Sequence, residues 1–133
     1  MGLSTYAWAQ LQNKNNPNKT FLYQFMRKPP ATGERKRFGA YHTAEIGYAL
    51  HNLDSIGRHW ESIDYQLEQV MSTYWVQFVK TGNPNQDGKP VWRNFSNEKP
   101  YCVLLGDSVV TAILPGKEAL DFLYARYPVM NKK

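Results

Sequence analysis

Four residues near the middle of the chain have side chains able to do chemistry: His42 and Glu45, three apart, followed by His51 and His59. Zinc sites built on one helix favour H-E-x-x-H, because side chains four residues apart share a face. That spacing is absent, so no metal is expected. The stretches "GKP" and "PGKE" lack the glycine-rich loop that aims several backbone N–H groups at a phosphate, so no phosphate site is expected either.

Nucleophilic acyl transfer needs a serine or cysteine, a histidine to take its proton and a carboxylate to orient that histidine. His42 stands just after the loop that leaves an apolar run, where α/β proteins place reactive groups. A nucleophile elbow reads G-x-S-x-G, the glycines relieving crowding at a sharp strand-to-helix turn. Gly106-Asp107-Ser108-Val109-Val110 supplies only the first glycine and Leu53-Asp54-Ser55-Ile56-Gly57 only the last. The residues therefore offer a base without a matching nucleophile. On local sequence the plainer reading of His42, a histidine that ends a strand loop by hydrogen bonding, is favoured.

The elements that would position these groups follow from periodicity. Leu3, Ala7 and Leu11, with Trp8 beside them, predict a short amphipathic helix ended by "NKNNPN". The run "TFLYQFM", residues 20–26, is apolar at nearly every position and predicts a strand buried on both faces, stopped by Pro29-Pro30. "TAEIGYALHNL" predicts a short helix, with Ala44, Tyr48 and His51 on one side and Ile46, Leu50 and Leu53 on another, weakened by Gly47. The longest element is a helix of about 30 Å over 61–80. Ile63, Leu67, Val70, Met71, Tyr74 and Phe78 form its apolar face, with Lys80 in the last turn and a left-handed cap at Gly82. "YCVLLGDSVVTAIL" predicts a hairpin turning at Gly106-Asp107-Ser108, and "GKEALDFLYARY" a closing helix.

This order of helices and strands is an α/β pattern, expected as a single segment over 1–133, with one anomaly. The strand at 20–26 has the composition of a central strand, yet the chain supplies only the two hairpin strands as neighbours. The sheet is therefore expected to be incomplete.

Composition sets the remaining bounds. A chain of 133 residues with 42% hydrophobic content can bury a core. The net charge is +5, densest at Arg27, Lys28, Arg35, Lys36 and Arg37, which flank a Pro-Pro-Ala-Thr-Gly turn and are expected to form a solvated loop. No nucleic-acid motif accompanies them, so no nucleic-acid partner is expected despite the nearby Phe38 and Tyr41. The single Cys102 excludes an internal disulfide and reads as a small core residue in a strand. No apolar run approaches the ~18 residues of a membrane span and no export signal is recognisable at the N-terminus, so no membrane partner is expected; the compartment stays open.

Together, "TFLYQFMRKPP", "GAYHTAEIGYALHNLD", "YWVQFVKTGNPN" and "PVWRNF" followed by "CVLLGD" resemble the C-terminal portion of type-B carboxylesterases, the α/β-hydrolase family that includes cholinesterases and para-nitrobenzyl esterases. The resemblance runs in order over about residues 4–124. It implies the C-terminal part of an α/β-hydrolase fold and hydrolysis of carboxylic esters through an acyl-serine, without metal or organic cofactor and with small-molecule esters as substrates. His42 matches the general base of the family's Ser-His-Glu/Asp triad, and Glu45 the glutamate after it, a neighbour able to orient the loop. The resemblance places the serine, the triad acid and the oxyanion-hole glycines upstream of this segment. Gly47 and Leu50 stand where the family usually has proline and phenylalanine, and His51 where glycine is frequent. The isolated chain is accordingly expected to be inactive, and to form a homo-oligomer through its truncated sheet edge. The alternative is a non-catalytic interaction or structural module derived from the same fold.

Overall fold

The computed structural model describes residues 2–17 and 19–126. Its elements are α1 (Leu3–Asn15), β1 (Tyr23–Phe25), α2 (Ile46–Ala49), α3 (Ser62–Thr81), β2 (Tyr101–Leu105), β3 (Val109–Ile113) and α4 (Lys117–Arg126), with 3-10 turns at Gly33–Phe38 and Leu53–Ser55. The predicted end of α4 at Tyr127 lies outside the described residues. The three strands form one sheet in the order β1-β2-β3.

Backbone hydrogen bonds fix the strand directions. Val103 N–H donates to Leu22 O at 2.9 Å and Met26 N–H to Leu105 O at 2.7 Å, so β1 and β2 advance together and are parallel. Gly106 N–H donates to Ser108 O and Leu114 N–H to Pro100 O, which makes β2 and β3 an antiparallel hairpin with Tyr101 facing Ile113 and Leu105 facing Val109. The hairpin and its turn are as the sequence predicts. Gly106 is needed there for close approach: a Cβ would stand 3.2 Å from the Cβ of Met26. The strand at 20–26 is shorter than expected, and none of its three residues is fully buried. Its apolar composition suits a central strand, but here it ends the sheet on one side.

The chain divides into two units. The first comprises Met1–Gln24, Arg93–Val103 and Thr111–Lys133. In it α1 buries Tyr6 and Ala9, leaving Trp8 and Leu11 exposed, so the helix exists but its buried face differs from the predicted stripe. Tyr6 decides the face: its ring packs edge-on against Phe95 and Tyr124, while its hydroxyl donates to Asp121 of α4. Cys102 is buried in β2 as predicted.

The second unit comprises Phe25–Trp92 and Leu104–Val110 and is built on α3. This helix runs for 20 residues and ends on Gly82 at φ 73°, whose N–H donates to Phe78 O. The predicted C-terminal cap is therefore present. Leu67, Met71 and Tyr74 are buried, each apolar side chain contributing about 1.5–3 kcal/mol. Phe78, predicted on the same face, is exposed, whereas Asp64 and Glu68 take buried places in the stripe. The helix predicted over 43–53 shrinks to the four residues of α2, because Thr43 and His51, at φ 72° and 54°, leave the right-handed helical region on either side.

Candidate active-site loop

The residues from Arg27 to Tyr48 leave the carboxyl end of β1 and return to α2, carrying His42 between them. In open α/β sheets the carboxyl ends of parallel strands are where ligands bind. At this end Met26, Arg27, Lys28, Gly106, Asp107 and Ser108 border an open cleft of about 530 Å³.

Both ends of the loop are tied to one carboxylate. Arg27 Nε donates to Asp64 Oδ1 at 2.7 Å and its Nη2 to Oδ2 at 3.0 Å. Tyr48 Oη donates to Asp64 Oδ1 at 2.7 Å, and the Glu61 N–H to Oδ2 at 2.9 Å. The guanidinium also reaches Glu61 at 2.6 Å and Asp107 in the hairpin turn at 2.9 Å. Asp64 is inaccessible to solvent and Arg27 nearly so, which corrects the expectation that Arg27 belongs to a solvated basic loop. Burial alone would raise the Asp64 pKa; the hydrogen bonds from Arg27, Tyr48 and the Glu61 backbone outweigh it and hold the carboxyl below its ordinary value. The hydrogen bond to Asp64 raises the Arg27 pKa, while burial followed by that to Asp64 raises that of Tyr48. Asp64 is thus a fixed anion that closes a twenty-residue loop, a role the sequence reading missed. Its one local signal is the acidic pair Glu61 and Asp64, three apart at the start of α3, the spacing of a capping box.

Within the loop, His42 is exposed and sits in a turn whose bonds run from Ala44 N–H to Tyr41 O and from Ile46 N–H to Thr43 O. Among the described residues its ring has no hydrogen-bond partner, which removes the plainer reading of a histidine kept for hydrogen bonding. Thr43 at φ 72° is a β-branched residue in the left-handed region, and Gly39 at φ 55° and ψ −134° occupies a conformation open essentially to glycine. Gly39 suits its conformation, whereas Thr43 is held in its own by the surroundings rather than by local preference. Glu45 directly precedes α2 and accepts the Ala49 N–H on its carbonyl at 3.0 Å; its half-buried carboxylate does not meet His42.

Of the other chemical residues, Ser108 is an exposed hairpin residue and His59 stands exposed ahead of α3. His51 lies 3.5 Å from Ser72 Oγ and 3.6 Å from Glu68 Oε2. Both approach the same ring nitrogen, Nδ1, so the three cannot work as a relay that takes a proton on one nitrogen while the other is held by the acid. Among the described residues no group of three histidine, cysteine or acidic side chains is placed to hold a metal. No described helix is long and apolar enough to cross a membrane.

Comparison with known proteins agrees with this architecture. Residues 1–122 match the model of the carboxylesterase family. Carboxylesterase 4A from Bos taurus is 31% identical over 106 residues, covering 76% of this chain and 19% of that protein. Phenmedipham hydrolase from Pseudarthrobacter oxydans is 32% identical over 75 residues, covering 52% and 15%. A thermophilic PNB esterase superposes with a TM-score of 0.66 at 25% identity over 77% of this chain and 21% of its own. An esterase from anaerobic Clostridium hathewayi, described as able to hydrolyse aliphatic aromatic polyesters, superposes with a TM-score of 0.72 at 21% identity over 92% and 24%. The chain spans a fifth or less of the length of the curated relatives it matches, 19% of the first and 15% of the second. Its helices and incomplete three-stranded sheet are part of an α/β-hydrolase fold, and the chain belongs to the carboxylesterase family.

Proposed function

We propose that this chain is the base-bearing, C-terminal segment of a carboxylic ester hydrolase, with His42 as the general base. The observation that carries the reading is the placement of His42: an exposed imidazole, without a hydrogen-bond partner among the described residues, on a turn beside left-handed Thr43, in a loop leaving the carboxyl end of a parallel strand. The imidazole takes the proton of a serine hydroxyl as the serine oxygen attacks the ester carbonyl. It then gives that proton to the departing alkoxide as the tetrahedral intermediate collapses to the acyl-serine. In the second half it takes a proton from water as the water oxygen attacks the acyl carbonyl carbon, and it gives that proton to the serine oxygen as the bond to the serine breaks and the carboxylic acid leaves. The serine, the triad acid and the oxyanion donors come from outside these residues. Glu45 helps to set the loop rather than serving as the triad acid.

The test is His42→Ala in the longer esterase, with p-nitrophenyl esters as substrates. A fall in kcat by about 10⁴-fold or more at unchanged melting temperature is expected, and a variant within tenfold of the wild type excludes His42 as the base. A second reading, a non-catalytic interaction module, is favoured by apolar side chains left in solvent: Trp8 is 74% exposed, Leu50 68% and Val79 82%. The sheet edge beyond β1 likewise suits a further strand, from the rest of the esterase or from a second copy. Light scattering of the isolated chain decides the last point, a monomer at ~0.1 mM arguing against a homodimer.

A further inference from the structure

The second unit contains a cleft whose charge is one-sided. It measures about 340 Å³ and is bordered by Lys28, Lys36, Phe38, Tyr41 and Arg58, with Pro29, Ala31 and Gly39 completing the wall. Three cations and no acid line it, in contrast to Arg27, whose single charge is met by three carboxylates. Glu34, the one acidic residue between 28 and 41, is not part of the wall.

Arg58 is pre-set. Its Nη1 donates to Pro30 O at 2.8 Å and its Nη2 to Tyr41 Oη at 3.2 Å. The guanidinium lies over the Trp60 and Tyr41 rings at 5.2 and 5.9 Å. A guanidinium carries five N–H donors, so the remaining ones can meet a carboxylate without further ordering of the side chain. Phe38 is 55% exposed and Tyr41 39%, which offers flat apolar surface beside the charges. A volume near 300 Å³ is at the lower end for small organic ligands.

We propose that this cleft binds a small aromatic carboxylate, its anion held by Arg58, Lys28 and Lys36 and its ring laid against Phe38 and Tyr41. The site is independent of the general-base reading of His42, because it is read by binding to this chain and not by turnover.

Calorimetric titration of the full chain with 2-naphthoate tests it, alongside the neutral isostere 2-naphthalenemethanol and a short oligouridylate. Saturable binding at about millimolar affinity or tighter is expected, with the alcohol at least about tenfold weaker. Lys36→Gln should weaken naphthoate about threefold to tenfold, and Arg58→Gln more, while leaving the alcohol unchanged. Lys36 is exposed, so its variant keeps the fold even if Arg58→Gln, which loses the bond to Pro30, does not. Equal binding of acid and alcohol, absence of naphthoate binding, or an unchanged Lys36→Gln affinity overturns the proposal. Oligouridylate binding tighter than naphthoate and lost in the same variants also overturns it, by assigning the cleft to nucleic acid.

Discussion

Arg27 meets Asp64 side-on, Nε to Oδ1 at 2.7 Å and Nη2 to Oδ2 at 3.0 Å, both charges nearly or wholly withdrawn from water. Removing Arg27 leaves Asp64 buried without a cation, and removing Asp64 leaves the buried Arg27 only the exposed Glu61 and Asp107 as counter-charges. Asp64→Asn should therefore destabilise the chain by about 3–5 kcal/mol, as read by urea unfolding. Arg27→Met should do the same, and the double variant Arg27→Met with Asp64→Asn should be less destabilised than the two singles added together. Additive losses would show that the two charges act separately.

Acid should find the same carboxylate. Because the folded pKa of Asp64 lies below its ordinary value of 3.8, its contribution is complete above about pH 4 and is lost as the pH falls through the folded value. A stability curve from pH 6 to 2 should drop more steeply in the wild type than in Asp64→Asn. Parallel curves would remove Asp64 from the acid limb.

Alkali should act through Tyr6. Burial, followed by the hydrogen bond to Asp121, pushes its hydroxyl up to about 12 from 10.0. The unfolded tyrosine ionises first, so stability is full below pH 10 and declines as the pH rises towards 12. Tyr6→Phe should cost about 1 kcal/mol or more at neutral pH, through the lost bond to Asp121, and should flatten the alkaline limb. An unchanged slope between pH 10 and 12 would contradict this.

Glycine should improve position 51. His51 sits at φ 54°, where a side chain is strained, and its contacts with Ser72 and Glu68 are long and solvent-exposed on the histidine side. His51→Gly should raise stability by about 0.5–1 kcal/mol, seen as a higher melting temperature. A lower melting temperature would mean that the pair with Glu68 outweighs the backbone strain.

His42→Ala should leave the melting temperature of this chain unchanged, since the exposed ring has no hydrogen-bond partner among the described residues. If His42 is the base and the serine and oxyanion donors come from elsewhere, as proposed, the purified chain should also show no saturable turnover of p-nitrophenyl acetate, because a base alone cannot stabilise a tetrahedral intermediate. Burst release of p-nitrophenol with labelling of a serine in this chain would contradict that.

What the sequence made legible is what neighbouring residues decide. The Gly82 cap, the turn at Gly106-Asp107-Ser108 and the loop bearing His42 each depend on a few consecutive residues, and each is found. The burial of Arg27 was not legible, because its partners Asp64 and Asp107 lie 37 and 80 positions away. Amphipathic spacing gave α1 as a helix but not its buried face, which is chosen by Tyr6 and its distant partner Asp121. The brevity of α2 lies between these cases. Glycine-like φ values at Thr43 and His51 are carried by residues that do not announce them.

The parallel pairing of β1 with β2 also sets an order of events during synthesis. Leu22 and Met26 bond to Val103 and Leu105, so β1 leaves the ribosome long before the strand that completes it exists. At about 5–20 residues per second, the intervening stretch of roughly eighty residues takes about 4–16 s to appear. Throughout that interval "TFLYQFM" is an apolar β-forming segment without its neighbour, and Arg27 is a cation without Asp107. Closing so long a loop is slow compared with forming α3, whose contacts are local. Helix α3 can therefore form while β1 still lacks β2 beside it, and in that period the unpaired side of the strand is open to wrong pairing.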